Sequence, residues 1–100
     1  MWMIVMFDLP VVEPEDRRAA TRFRNYLLDE GFTMAQYSVY YRLLSGKEAV
    51  ESLAKRIETS VPEYGVVQML TVTDKQYENI QTFRGKERVG QEKPSQLVLF

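Results

Sequence analysis

Cysteine and histidine are both missing from this chain. Zinc-type sites therefore lose almost all their ligands, because soft and borderline metals depend on thiolate and imidazole. Histidine acid–base catalysis and every Ser-His or Cys-His arrangement are excluded within one chain. A metal here has to be a hard cation held by oxygen: Mg²⁺, Mn²⁺ or Ca²⁺. The lack of cysteine fits a reducing cytoplasm. No apolar run approaches the length of a membrane span. The first residues also lack a basic flank followed by a long apolar core, so neither a membrane segment nor a signal peptide is expected. An excess of positive charge is absent too. Thirteen basic residues stand against fourteen acidic ones, a net charge of −1. That argues against a generally basic nucleic-acid binder and leaves a local basic face as the alternative.

What is present is an ordinary globular composition, 45% hydrophobic and 27% charged, in 100 residues, the size of one domain. A domain this small buries only about 60–65% of its unfolded surface, so its core is thin and association is expected. The run Trp-Met-Ile-Val-Met-Phe-Asp at residues 2 to 8 has strand length and no alternation, which predicts a central strand covered on both faces. Pro10 ends it. Residues 14 to 30 read as a helix, with Pro14 in the first turn, acidic residues near the start, and Ala19, Ala20, Phe23, Tyr26 and Leu27 as one apolar stripe. Gly31 is the terminator. Residues 32 to 44 are aromatic and β-branched but too long for one strand, so a bend near Gln36–Ser38 is expected to divide them. Ser45 and Glu48 form a capping box before a second helix over 46–59. Residues 66 to 73 form another strand, and Thr73 with Gln76 caps a short helix through about Phe83. Residues 84 to 95 read as a solvated, mildly basic loop. Leu97, Val98, Leu99 and Phe100 make a terminal strand that adds to a sheet edge, this chain's or a partner's. The order is that of an α+β, ferredoxin-like βαββαβ domain over residues 1–100 with an extra C-terminal strand.

Three constellations bear on chemistry. Asp8 ends the first strand next to the bend. It reads either as a turn former bonded to the Leu9–Pro10 backbone or as a carboxylate for Mg²⁺, which takes one or two carboxylates plus waters and phosphate oxygens. One carboxylate is too few for a two-metal site; a two-fold homodimer that brings Asp8 to its twin supplies the second. Arg17, Arg18, Arg22 and Arg24 lie within eight residues that contain no acid, and eight of the thirteen basic residues are arginine. On a helix, Arg17 and Arg24 flank one side of the apolar stripe and Arg18 and Arg22 the other. They are either a solvated face paired with Glu13, Glu15, Asp29 and Glu30, or a phosphate track that a dimer would double. Tyr37, Tyr40 and Tyr41 read as packing residues rather than base-stacking ones, and Gln36 and Ser38 as polar groups that satisfy the bend or position a water.

The segments MFDLP, RFRNYLLDEGF, QYSVY and LTVTDKQ, in this order, resemble the second CRISPR-associated protein family (Cas-two), closest to the branch found with type II systems. The resemblance implies a ferredoxin-like two-fold homodimer whose C-terminal strands cross between subunits. It implies a place in spacer acquisition beside the Cas-one integrase, holding duplex protospacer DNA. It puts the family's metal-binding and catalytic aspartate at Asp8, with Mg²⁺ or Mn²⁺ held between the two Asp8 of a dimer for cleavage of RNA or DNA. It maps the basic residues of the first helix onto Arg17, Arg18 and Arg22. Many members carry Tyr before that Asp; Phe7 here removes the hydroxyl. The expectation is a cytoplasmic DNA-holding scaffold with metal-dependent nuclease activity beside it. The alternatives are a stand-alone RNA-cleaving toxin of the VapD type and a small-molecule regulatory module of ferredoxin-like shape.

Overall fold

A computed structural model describes residues 1–86. The elements are β1 (Trp2–Asp8), α1 (Pro14–Asp29), β2 (Thr33–Gln36), β3 (Val39–Leu43), α2 (Lys47–Glu58), β4 (Val66–Val72) and α3 (Asp74–Glu78). The four strands make one antiparallel sheet in the order β2-β3-β1-β4. This is the ferredoxin-like arrangement expected from the sequence. The terminal strand expected at Leu97–Phe100 and most of the 84–95 loop lie outside the described residues.

The strand period decides which residues face the helices. Met3, Val5 and Phe7 are buried, and Tyr40 pairs with Val5 on the same side. They share one core with Ala20, Phe23 and Leu27 of α1 and Leu53 and Ile57 of α2. The Phe7 ring meets Phe23 edge-on at 5.3 Å and stacks on Tyr40 at 5.7 Å. β1 is central, as expected, but among the described residues only one of its faces is fully covered. Trp2, Ile4 and Met6 alternate with the core residues and are only half-buried. The surface around them is apolar: Leu70 opposes Ile4, and Val39 and Tyr41 flank it from β3. An alternating strand looks continuous in sequence when its open face is also apolar. At one end of this face α3 is fastened by Tyr77, which stacks on Trp2 at 3.8 Å.

The bend falls where expected. The register shifts between Met34 and Gln36, and a turn at 37–38 separates β2 from β3. α1 ends one residue early, and Gly31 follows at φ 92°, a conformation costly for any side chain. α3 carries the expected capping box: Thr73 accepts from the Gln76 N–H, and the Gln76 side chain accepts from the Thr73 N–H. It stops at Glu78 rather than near Phe83. The Ser45 capping box does not form. Helix α2 starts at Lys47 with Gly46 in the cap position, so Glu48 is the second helical residue and is out of register for the reciprocal bond.

Candidate functional site

Asp8 closes the row Trp2, Ile4, Met6, Asp8, and therefore points to the open side of the sheet. It pairs with Val66, the first residue of β4. Its side chain is exposed and accepts no hydrogen bond from the Leu9–Pro10 turn or from any other described residue. The turn-former reading therefore has no bond to support it. The turn is held instead by Arg17, whose Nη1 donates to the carbonyls of Val11 and Val12 at 3.1 and 2.9 Å. A second constraint comes from Gly65 at φ 107°. A methyl group there would lie 2.8 Å from the Asp8 carbonyl oxygen and 2.7 Å from Leu9 Cδ2. Only glycine allows β4 to approach the end of β1 this closely.

The bend packs on the other side of the same strand end. The Phe7 N–H donates to the Ser38 carbonyl at 3.1 Å, so the bend adjoins the residue before Asp8. Gln36 is exposed at the end of β2. Arg24 reaches this corner from α1. Its guanidinium lies over the Tyr37 ring at 4.2 Å and near Phe7 at 5.7 Å, while its Nε is buried without a hydrogen-bond partner. Tyr40, buried beside it, has its phenol pKa pushed up by desolvation, with the Arg24 charge working in the opposite direction.

The four arginines thus separate into three settings. Arg17 ties down a loop, and Arg24 stacks at the bend. Arg18 and Arg22 stand outward, and with Arg17 and Thr21 they line an open groove of about 430 Å³ along α1. None of the four makes an ion pair with an acid among the described residues. Of the four acids expected to neutralise them, Glu30 is taken by Arg56 of α2 at 2.8 Å. Tyr37, Tyr40 and Tyr41 pack rather than present a base platform: Tyr40 is buried, Tyr37 carries Arg24, and Tyr41 leans on Trp2 at 5.7 Å.

No group of three or more acidic side chains is placed to hold a metal among the described residues. At the end of β1 one chain offers one carboxylate, Asp8. That donor suits Mg²⁺ or Mn²⁺, which complete their shells with water and phosphate oxygen, and does not suit a dedicated all-protein cage. Gly65 and Arg24 are the features that sequence reasoning missed or placed wrongly. Gly65 read only as part of a turn, and the stacking of Arg24 depends on a residue thirteen positions away.

A ferredoxin-like sheet with an exposed carboxylate at the end of its first strand and an arginine-lined first helix places the chain in a class of small α+β proteins. The comparisons with known proteins narrow this class. The family model described as CRISPR associated protein Cas2 matches residues 1–80. This chain belongs to that family. It is 48% identical to a protein of Paracidovorax avenae over all of this chain and 94% of the other. It is likewise 48% identical to one of Parvibaculum lavamentivorans over the full length of both. A Flavobacterium psychrophilum relative is 44% identical over all of this chain and 88% of its own. All three bear the name CRISPR-associated endoribonuclease Cas2. Among solved structures, Streptococcus pyogenes Cas2 superposes with a TM-score of 0.64, covering 84% of this chain and 100% of that one, at 16% identity. That likeness supports the fold alone.

Proposed function

We propose that this chain works in the cytoplasm as a homodimer that holds duplex DNA during spacer acquisition beside the Cas-one integrase, and that the same dimer cleaves RNA with a divalent cation bound at Asp8. The observation that carries this reading is the placement of Asp8 on the rim of the open, apolar sheet face. A twin that covers this face brings a second Asp8 toward the first. Two carboxylates then face one cleft and provide the donors for a shared Mg²⁺ or Mn²⁺. Such a cation would supply Lewis acidity and an activated water, which a chain without histidine otherwise lacks. The residues of this chain position that chemistry. Gly65 and Arg17 fix the backbone on either side of Asp8, and the Asp8 carboxylate stands exposed at the strand end. Arg18 and Arg22, doubled by the twin, line the duplex backbone without reading bases. The outer edge of β4, unpaired among the described residues, is in this reading the place for Leu97–Phe100 of a partner to add as a strand.

Two variants separate the two tasks. Asp8→Asn should abolish Mg²⁺-dependent RNA cleavage and leave duplex DNA affinity intact. Arg18→Ala with Arg22→Ala should weaken duplex binding for every sequence alike and flatten its salt dependence. Cleavage that persists in Asp8→Asn removes the assignment to Asp8. Unaltered duplex binding in the double variant moves the track away from α1.

A further inference from the structure

The end of β1 is gripped unequally from its two sides. Toward β4, Phe7 and Asp8 pair with Val67 and Val66, and Gly65 lies close under the Asp8 carbonyl. Toward β3 the ladder stops at Met6 opposite Val39. Beyond it one bond continues the contact, from the Phe7 N–H to the Ser38 carbonyl. Ser38 belongs to the turn at 37–38, which lies outside both strands and follows the register shift between Met34 and Gln36. The position of its carbonyl therefore depends on what holds the turn. Arg24 of α1 meets that turn from the helix side. Its guanidinium lies 4.2 Å from the centre of the Tyr37 ring, within reach of a cation–π attraction, and 5.7 Å from that of Phe7. The Phe7 ring is in turn packed against Phe23 and Tyr40. The Arg24 Nε is buried with no hydrogen-bond partner among the described residues. An orphaned buried N–H costs about as much as a cation–π contact contributes, so packing alone favours arginine here little over an uncharged side chain of similar reach.

We infer that Arg24 is a positioning residue for Asp8: by clamping Tyr37 it fixes the Ser38 carbonyl, and through the Phe7 N–H it fixes the direction in which the next residue presents its carboxylate. The inference rests on the proposed role of Asp8 and adds the group that sets its geometry. The lever is short, because Phe7 and Asp8 are adjacent and their side chains leave the strand on opposite faces. Arg24 works on the buried face, against the Phe7 and Tyr37 rings, while Asp8 stands exposed on the other. The influence therefore passes through the backbone and not through a contact between guanidinium and carboxylate. A small displacement matters because Mg²⁺ demands near-ideal octahedral geometry from the few protein oxygens it takes. The same clamp ties the strand end to α1, the helix whose Arg18 and Arg22 line the outer groove.

Residue-resolved amide hydrogen exchange without metal, and Mn²⁺ titration followed by electron paramagnetic resonance, test this on the full chain. Arg24→Met should stay folded with a Tm within a few degrees of wild type. Its Phe7 amide should exchange about fivefold faster, the size of one lost cation–π contact. The Phe32 amide, bonded to the Leu27 carbonyl at the opposite end of β2, should keep its rate. Mn²⁺ affinity should fall severalfold. Tyr37→Leu should reproduce both changes and Tyr37→Phe neither, and Arg24→Met combined with Tyr37→Leu should be no worse than either alone. An unaltered Phe7 rate in Arg24→Met, equal acceleration of Phe7 and Phe32, or wild-type Mn²⁺ affinity overturns the inference. Asp8→Asn separates the two failures. If it binds Mn²⁺ as wild type does, the proposed role of Asp8 falls and the positioning role with it. If it loses Mn²⁺ while Arg24→Met does not, only the positioning role falls.

Discussion

Asp8 is available because its neighbours do the work an aspartate often does at a strand end. Arg17 bonds the carbonyls of Val11 and Val12, so the loop needs no bond from Asp8. If a cation acts at this carboxylate, Asp8→Asn should lower Mg²⁺-dependent RNA cleavage by about 10²-fold or more, several kcal/mol of lost Lewis-acid stabilisation. Gly65→Ala tests the neighbouring backbone. Its positive φ and the 2.8 Å approach to the Asp8 carbonyl predict a loss of more than about 1 kcal/mol and a fall in Tm of several degrees by calorimetry. Cleavage should fall with it, as the strand end is pushed aside. At this scale the sequence revealed the identity of the groups better than their settings. Asp8 was legible as a carboxylate closing an apolar run. The division of the arginines was not, because helical spacing puts Arg17 and Arg24 on the same flank and says nothing of the carbonyls and ring each one meets.

The elements are joined by a few specific contacts, and one of them titrates. Arg56 of α2 donates two hydrogen bonds to Glu30 at the end of α1, and Tyr26 donates a third. The Arg56 hydrogen bonds hold the Glu30 pKa below its usual 4.5, partly opposed by desolvation. Folding therefore favours the charged carboxylate. This stabilisation is complete above the ordinary Glu value and is lost as pH falls through the depressed native one. Glu30→Gln should lower Tm at pH 7, and the gap to wild type should close in acid; a gap that is constant down to the acid limb would contradict the assignment. In the core, Leu53→Ala should cost about 2–5 kcal/mol by denaturant unfolding, since Leu53 is buried between α2 and the sheet. Element boundaries were legible where local chemistry decides them. The Thr73–Gln76 box and the Gly31 stop are both present. Ser45 failed because two adjacent residues compete for the cap, and the one-residue shift to Gly46 breaks the reciprocal bond. The period of β1 was illegible because Ile4 and Met6 are as apolar as the core residues between them, so alternation disappears from a strand whose second face also awaits a cover.

At the scale of the whole molecule, the described residues cover the sheet fully on the helix side and only partly on the other. Leu70, half-exposed opposite Ile4, lies on that partly covered face. Leu70→Asp should leave the far-ultraviolet circular dichroism unchanged and convert a dimer to a monomer in sedimentation. Removal of residues 96–100 should weaken the dimer if the tail completes a partner's sheet. Mn²⁺ stoichiometry by electron paramagnetic resonance decides whether two chains share one cation between their Asp8 carboxylates. The expected result is one Mn²⁺ per two chains, lost in Asp8→Asn and lost equally in the monomeric Leu70→Asp. One Mn²⁺ per chain, retained when the dimer is broken, would contradict it.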